Sequence, residues 1–163
     1  MNPQNLIRLE FYRPAYKQQI ETYVLPEEQA QFTAQPLDAL AVCEQDAERF
    51  PVLIFSNDSL AGFFVLHGWG GVQQYYDNEK ALLLRAYSVN PSFQGKGIAQ
   101  ESLKLLPEFV KIHFPEKNEI MLCVNYHNTQ AQHVYKKSGF QDRGLRAMGR
   151  KGEMFIFHLR LSY

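Results

Sequence analysis

Hydrophobic and polar positions change period several times along this chain, and the changes divide it into elements. Residues 6–12 alternate apolar and polar side chains, the period-two pattern of a strand with one covered face. Pro14 then opens a helical stretch to about Val24, Pro being tolerated in a first turn. A second helix is expected over residues 36–48, with Leu37, Leu40, Ala41 and Ala47 as its apolar face. From Pro51 the period returns to that of strands. Residues 52–56 and 60–67 are β-rich runs separated by Asn57, Asp58 and Ser59, which have the composition of a hairpin turn. Residues 68–78 are polar and glycine-containing and read as a loop, and residues 81–89 form a long apolar strand covered on both faces for much of its length.

After Asn90 and Pro91 comes a glycine-punctuated turn, then a helix from about Gly97. Pro107 falls inside that helical pattern, where it costs about 3 kcal/mol, so a kink or break is expected with the first piece ending near Leu106. Residues 120–124 are another strand. Residues 128–138 make a short helix with Asn128 as N-cap, Lys136 and Lys137 in the last turn and Gly139 just beyond. Two strands, residues 140–148 and 154–161, close the chain. The order β-α-α-β-β-β-α-β-α-β-β describes an α+β protein with a mixed sheet rather than a regular alternation.

Composition narrows the function classes. At 163 residues the chain fits one domain, residues 1–163, and a chain of that size buries roughly 68–70% of its surface on folding. Seventeen basic residues against seventeen acidic ones leave no net charge, so the chain lacks the long-range field of a nucleic-acid binder. Residues 1–10 show no signal pattern, and no apolar run approaches the ~20 residues that span a bilayer. Cys43 and Cys123 stand far apart without metal or redox spacing and read as reduced thiols in a cytoplasmic setting. The five histidines have no metal-ligand spacing, so no metal is expected.

The richest chemical signal is the junction Gln94-Gly95-Lys96-Gly97-Ile98-Ala99. A buried strand runs into a turn with two glycines and a helix begins at once. The first N–H groups of a helix have no intrahelical partner, and with the positive end of the helix dipole they suit a phosphate. Glycine lets the anion approach the backbone closely, and Lys96 adds a point charge. A P-loop is excluded because Lys96 precedes the second glycine with no hydroxyl after it, and a dinucleotide fingerprint because Gln100 stands where its third glycine belongs. The motif resembles the [RQ]xxGx[GA] signature of the GNAT acetyltransferases. That resemblance implies that the turn's amides, Gln94 to Ala99, hold the pyrophosphate of coenzyme A. It also implies that the strand just upstream, including Tyr87 and Val89, is splayed and pairs its backbone with the pantetheine arm.

A second motif, Asn128-x-x-Ala131-x-x-x-Tyr135-x-x-x-Gly139-Phe140, resembles the family's NxxAxxxYxxxGF. Asn128, Ala131 and Tyr135 share one helix face. The resemblance implies that Asn128 lines the cofactor channel and that Tyr135 protonates the departing thiolate. It further implies a mixed, mostly antiparallel twisted sheet of six to seven strands flanked by about four helices, with acetyl-CoA as cosubstrate. Many family members carry a glutamate base on the central strand. Residues 82–88 have none, which leaves Glu79, His127, Tyr76 or an ordered water to take the amine's proton. Arg85, a charge within an apolar strand, either faces the acceptor cleft or forms a buried ion pair. Glu28 falls where the family's acceptor-binding loop lies, and Tyr75 and Tyr76 read either as a wall of the substrate pocket or as half-buried aromatics of a flexible loop. The function implied is acetyl transfer to an amine by direct attack, with a CoA- or acyl-CoA-binding sensor as the alternative. No nucleic-acid or membrane partner is expected, and the two C-terminal strands are natural places for pairing into a homodimer.

Overall fold

The computed structural model describes residues 6–162. Among them seven strands form one sheet: β1 (Ile7–Phe11), β2 (Arg49–Ser56), β3 (Ser59–His67), β4 (Ala81–Val89), β5 (Glu119–Asn125), β6 (Gln141–Gly149) and β7 (Gly152–Arg160). Their spatial order is β1-β2-β3-β4-β5-β7-β6. Only β4 and β5 run parallel; every other neighbouring pair is antiparallel. Six α-helices accompany the sheet: α1 (Lys17–Glu21), α2 (Glu27–Ala30), α3 (Pro36–Glu44), α4 (Trp69–Val72), α5 (Ile98–His113) and α6 (Thr129–Lys137).

Alternation along each strand divides the core between the two faces. Val52, Ile54, Phe64, Leu66, Leu82 and Leu84 turn toward α5, whose Leu103, Leu106 and Val110 meet them. Their odd-numbered neighbours on β2 and β3, Leu53, Phe55, Phe63 and Val65, face α1 and α3. Farther along that second face Leu83, Met121 and Ile156 pack with Val72 of α4.

Several expectations are corrected by packing. The first helical stretch is a 3-10 turn (Pro14–Tyr16) followed by α1, and it ends early because Tyr23 must turn inward. The Tyr23 hydroxyl lies 2.8 Å from Ser88 Oγ on β4. The short helix α2 forms where a charged loop was expected. In α3 the buried residues are Pro36, Ala39 and Leu40, while Leu37 and Ala41, and Ala47 beyond its end, are exposed, so the apolar stripe is rotated by one position. That helix stops at Glu44, before the Asp46 carboxylate accepts the Glu48 N–H at 3.0 Å and turns the chain into β2. The expected loop after β3 contains the single turn α4, wound tightly over His67: a Cβ on Gly71 would run into the His67 ring.

Helix α5 runs through Pro107 without a break. The missing hydrogen bond is offset by burial of Leu103, Leu106, Phe109 and Val110 on either side of it. Of the two C-terminal strands only β6 is an edge; β7 lies between β5 and β6 and has no free edge.

Candidate active site

The site begins where β4 and β5 separate. They pair only from Ala81 opposite Glu119 to Leu84 opposite Leu122. Beyond that point β5 continues on β7 and β4 continues on β3, and a gap opens between them. A bulge marks the parting: the β3–β4 register shifts between Phe63 and Val65, and Ala86 takes a left-handed φ of 53°. Past the bulge Asn90 donates its N–H to Ala61 O at 2.7 Å. Antiparallel alternation then turns the N–H of Val89, opposite Gly62, away from β3 and toward the gap. The cleft that results has a volume of 1480 Å³.

The glycine turn forms one wall. Gly95 and Gly97 have φ of 77° and 78°, a region that suits glycine. A Cβ on either would meet no atom within 4 Å, so close packing does not demand the glycines; conformation and open approach to the backbone do. Gly97 caps α5 without any side-chain hydrogen bond, which leaves the first amides of a 16-residue helix facing the cleft. These features fit the phosphates of coenzyme A. Gln94, Gly95, Gly97, Ile98 and Ala99 line the cleft, whereas Lys96 is not part of its wall and extends over the Phe93 ring at 5.4 Å. Gln94 Nε2 donates to Gln29 Oε1 at 3.0 Å, joining this wall to α2. Tyr87 is anchored by its hydroxyl to Ser102 Oγ on α5 at 2.5 Å, which secures β4 to the start of that helix.

Helix α6 forms the facing wall. Asn128 Oδ1 accepts the Ala131 N–H at 3.3 Å, so this side chain caps the helix as well as lining the cleft. One face of α6 brings Ala131, Val134 and Tyr135 onto the core beside Tyr87 and Phe140. Burial pushes the Tyr135 phenol well above its ordinary pKa, with a smaller contribution from Tyr87. The hydroxyl therefore stays protonated, and it makes no hydrogen bond among the described residues.

The remaining wall lies on the α1/α3 side. Arg85 lines it, and its Nη1 meets His67 Nδ1 at 3.3 Å rather than a carboxylate. Glu28 also lines the cleft from an exposed position. Tyr76 does not: its ring packs edge-on against His158 at 4.9 Å, and its neighbour Tyr75 is the one that reaches the cleft. His127 stacks on Tyr126 at 3.8 Å and Glu79 accepts a bond from Lys117, both away from the lining. Sequence reasoning missed Gln29, Cys123, Arg150 and Lys151 of the lining, and the His67–Asp46 pair behind Arg85. None of these carries a local motif; sheet topology alone brings them together. Burial holds the Cys123 thiol up at about 11, so it is no ready nucleophile. Among the described residues no His, Cys, Asp and Glu group suited to a metal ion is found.

A splayed β4–β5 pair, a glycine-led helix without a side-chain cap and a half-buried tyrosine meet at one cleft. The model of the acetyltransferase (GNAT) family matches residues 10–140, and the chain belongs to that family. It is, as a class, an acetyl-CoA-dependent N-acetyltransferase. A Bacillus subtilis (strain 168) protein, described as the uncharacterized N-acetyltransferase YbbJ, is 39% identical over 153 residues, covering 93% of this chain and 96% of that one. Solved structures share the fold at lower identity. The aminoglycoside acetyltransferase AAC(6')-Ib, in complex with coenzyme A and kanamycin, superposes with a TM-score of 0.75 at 17% identity over 95% of each chain. Spermidine N-acetyltransferase from Vibrio cholerae, in complex with CoA and spermine, gives 0.70 at 16% identity over 98% of this chain and 97% of that one.

Proposed function

We propose that this chain carries the acetyl group of acetyl-CoA directly to a primary amine of a small molecule or peptide, with both substrates held in the cleft together. The observation that carries this reading is the convergence of three groups on one cleft: the backbone of Val89, the leading amides of α5 and the face of α6 that bears Tyr135. The amides of Gly97, Ile98 and Ala99 receive the pyrophosphate, and the backbone of Tyr87 and Val89 runs beside the pantetheine arm. The Val89 N–H donates to the thioester carbonyl, drawing charge onto its oxygen as the amine attacks. A C–N bond forms and the C–S bond breaks; Tyr135 gives its phenolic proton to the sulfur, and the amine's proton leaves to water. Tyr135 then recovers a proton from solvent. We place the reaction in the cytoplasm, in keeping with two unpaired cysteines.

Calorimetric titration with acetyl-CoA and with desulfo-CoA, followed by thiol release against a panel of amines, tests the reading. Binding of about micromolar strength is expected, with turnover on one class of amine. Tyr135→Phe should lower kcat by about 10²–10⁴-fold and leave acetyl-CoA binding intact. A folded protein that binds neither CoA species would overturn the proposal.

A further inference from the structure

Arg85 rises from the α1/α3 face of β4 between two apolar clusters, one built on Phe63 and Val65 and the other on Leu83 and Met121. It is half-buried. Burial, and after it the charge of Arg49, holds its pKa below the usual value, yet a guanidinium keeps its proton in proteins. The fold therefore keeps a cation in a place that disfavours one. No carboxylate among the described residues lies within 4.0 Å of it.

What holds it is a neutral relay. His67 Nε2 lies 3.3 Å from Asp46 Oδ2, and Asp46 is itself gripped by Arg49 Nε at 3.1 Å. Burial lowers the pKa of His67, and because a guanidinium can only donate, the His67 Nδ1 lone pair accepts from Arg85 Nη1, which leaves the proton of the neutral ring on Nε2, on the side of Asp46. Gly71 packs against the imidazole so closely that a side chain there would run into the ring. His67 and Asp46 are thus positioning residues. They occupy Nη1 and leave the fork of Nε and Nη2 for the cleft that Arg85 lines. The lining as a whole carries Arg85, Lys137, Arg150 and Lys151 against the single carboxylate of Glu28. A polycationic amine entering this cleft meets mostly like charge.

We infer that the acceptor is an amine that also carries an oxyanion, a carboxylate or a phosphate, and that Arg85 receives this group through paired N–H donors while Arg150 and Lys151 of the β6–β7 turn strengthen the attraction. The planar guanidinium fork matches either oxyanion. This rests on the acetyl-transfer reading above.

The test uses the full chain with acetyl-CoA and three sets of amines: amino acids and dipeptides; phosphoethanolamine and glucosamine 6-phosphate; and amines without an anion, namely spermidine, kanamycin and propylamine. Turnover is expected to favour one of the two anionic sets, and which set it is distinguishes carboxylate from phosphate. Arg85→Gln should raise KM for that acceptor about ten- to hundredfold while KM for acetyl-CoA stays within about twofold, and Arg85→Lys should restore part of the loss. Binding of N-acetylglycine and N-acetylglucosamine 6-phosphate to the CoA-saturated protein gives a readout independent of turnover. One of them should bind, and Arg85→Gln should abolish that binding. Preference for the anion-free amines, binding of neither product, or an acceptor KM unmoved in Arg85→Gln would each overturn this inference while CoA binding and thiol release still upheld the transferase. A folded protein that fails to bind CoA would overturn both.

Discussion

Tyr135 stands with Tyr87 and Phe140 around it, ring centroids 6.1 and 5.8 Å away, and the water they exclude is what keeps its phenol protonated. The pH dependence follows with a definite sign. In the proposed mechanism the neutral form is the acid, and its pKa is raised above the ordinary value of about 10, so kcat should show no loss up to about pH 9. On the acid side kcat/KM should fall as the acceptor's ammonium form accumulates. A pH–rate profile with an alkaline limb below about pH 9 would assign the acid to another group. Gly97 supports a second expectation at this scale. An alanine there clashes with nothing but must take a φ of 78°, at a cost of about 1–2 kcal/mol. Gly97→Ala should therefore stay folded, with a midpoint only a few degrees lower, and bind CoA about tenfold more weakly because the methyl stands over the approach to the amides.

Among the elements, α5 shows best how packing overrides local preference. Pro107 removes one ladder bond and should break the helix, but five buried residues from Ser102 to Val110 hold both halves against the sheet. The cost remains in the folded state. Pro107→Ala restores an N–H and removes the ring, worth about 3 kcal/mol in a helix interior, and gives back about 0.4–1 kcal/mol through a looser unfolded chain. A net stabilisation of about 2 kcal/mol is expected, read as a shift in the denaturant midpoint without a change in m. An unchanged or lower midpoint would mean that the proline ring makes contacts alanine cannot replace. The strand pair β4–β5 shows the opposite case: its failure to pair beyond Leu84 and Leu122 is what leaves backbone groups for a ligand.

Over the whole molecule, stability depends on two neutral imidazoles far apart in the sheet. His158 is buried with Nδ1 3.2 Å from Glu119 Oε2, and its Nε2 has no partner, which is cheap for a lone pair and costly for an N–H. Glu119 also holds Arg143 at 2.8 Å and Asn78 at 2.9 Å. Burial, the largest cause in each case, lowers the pKa of both His67 and His158 below 6.5. A depressed histidine binds fewer protons folded than unfolded, so its contribution is complete above about pH 6.5 and is lost as pH falls through the folded value. The melting temperature should accordingly drop between pH 7.5 and pH 5, and His158→Gln should flatten that slope whatever it does to the neutral-pH value. A slope unchanged in His158→Gln would exclude it as a contributor.

The sequence by itself determined the parts whose geometry is local. Two glycines ahead of a helix place N–H groups at its tip, and Asn128, Ala131 and Tyr135 share a face, because both follow from backbone conformation and the 3.6-residue period. The succession of elements along the chain and the α+β class were legible from the changes of hydrophobic period. Only the tertiary structure decided which side chains face the cleft. The one-position rotation of α3 and the choice of Tyr75 over Tyr76 were decided by packing, and the contacts from Asp46 through His67 to Arg85 join residues roughly twenty positions apart at each step. Such contacts are set by strand register and by the space that packed neighbours leave, and no window along the chain contains either.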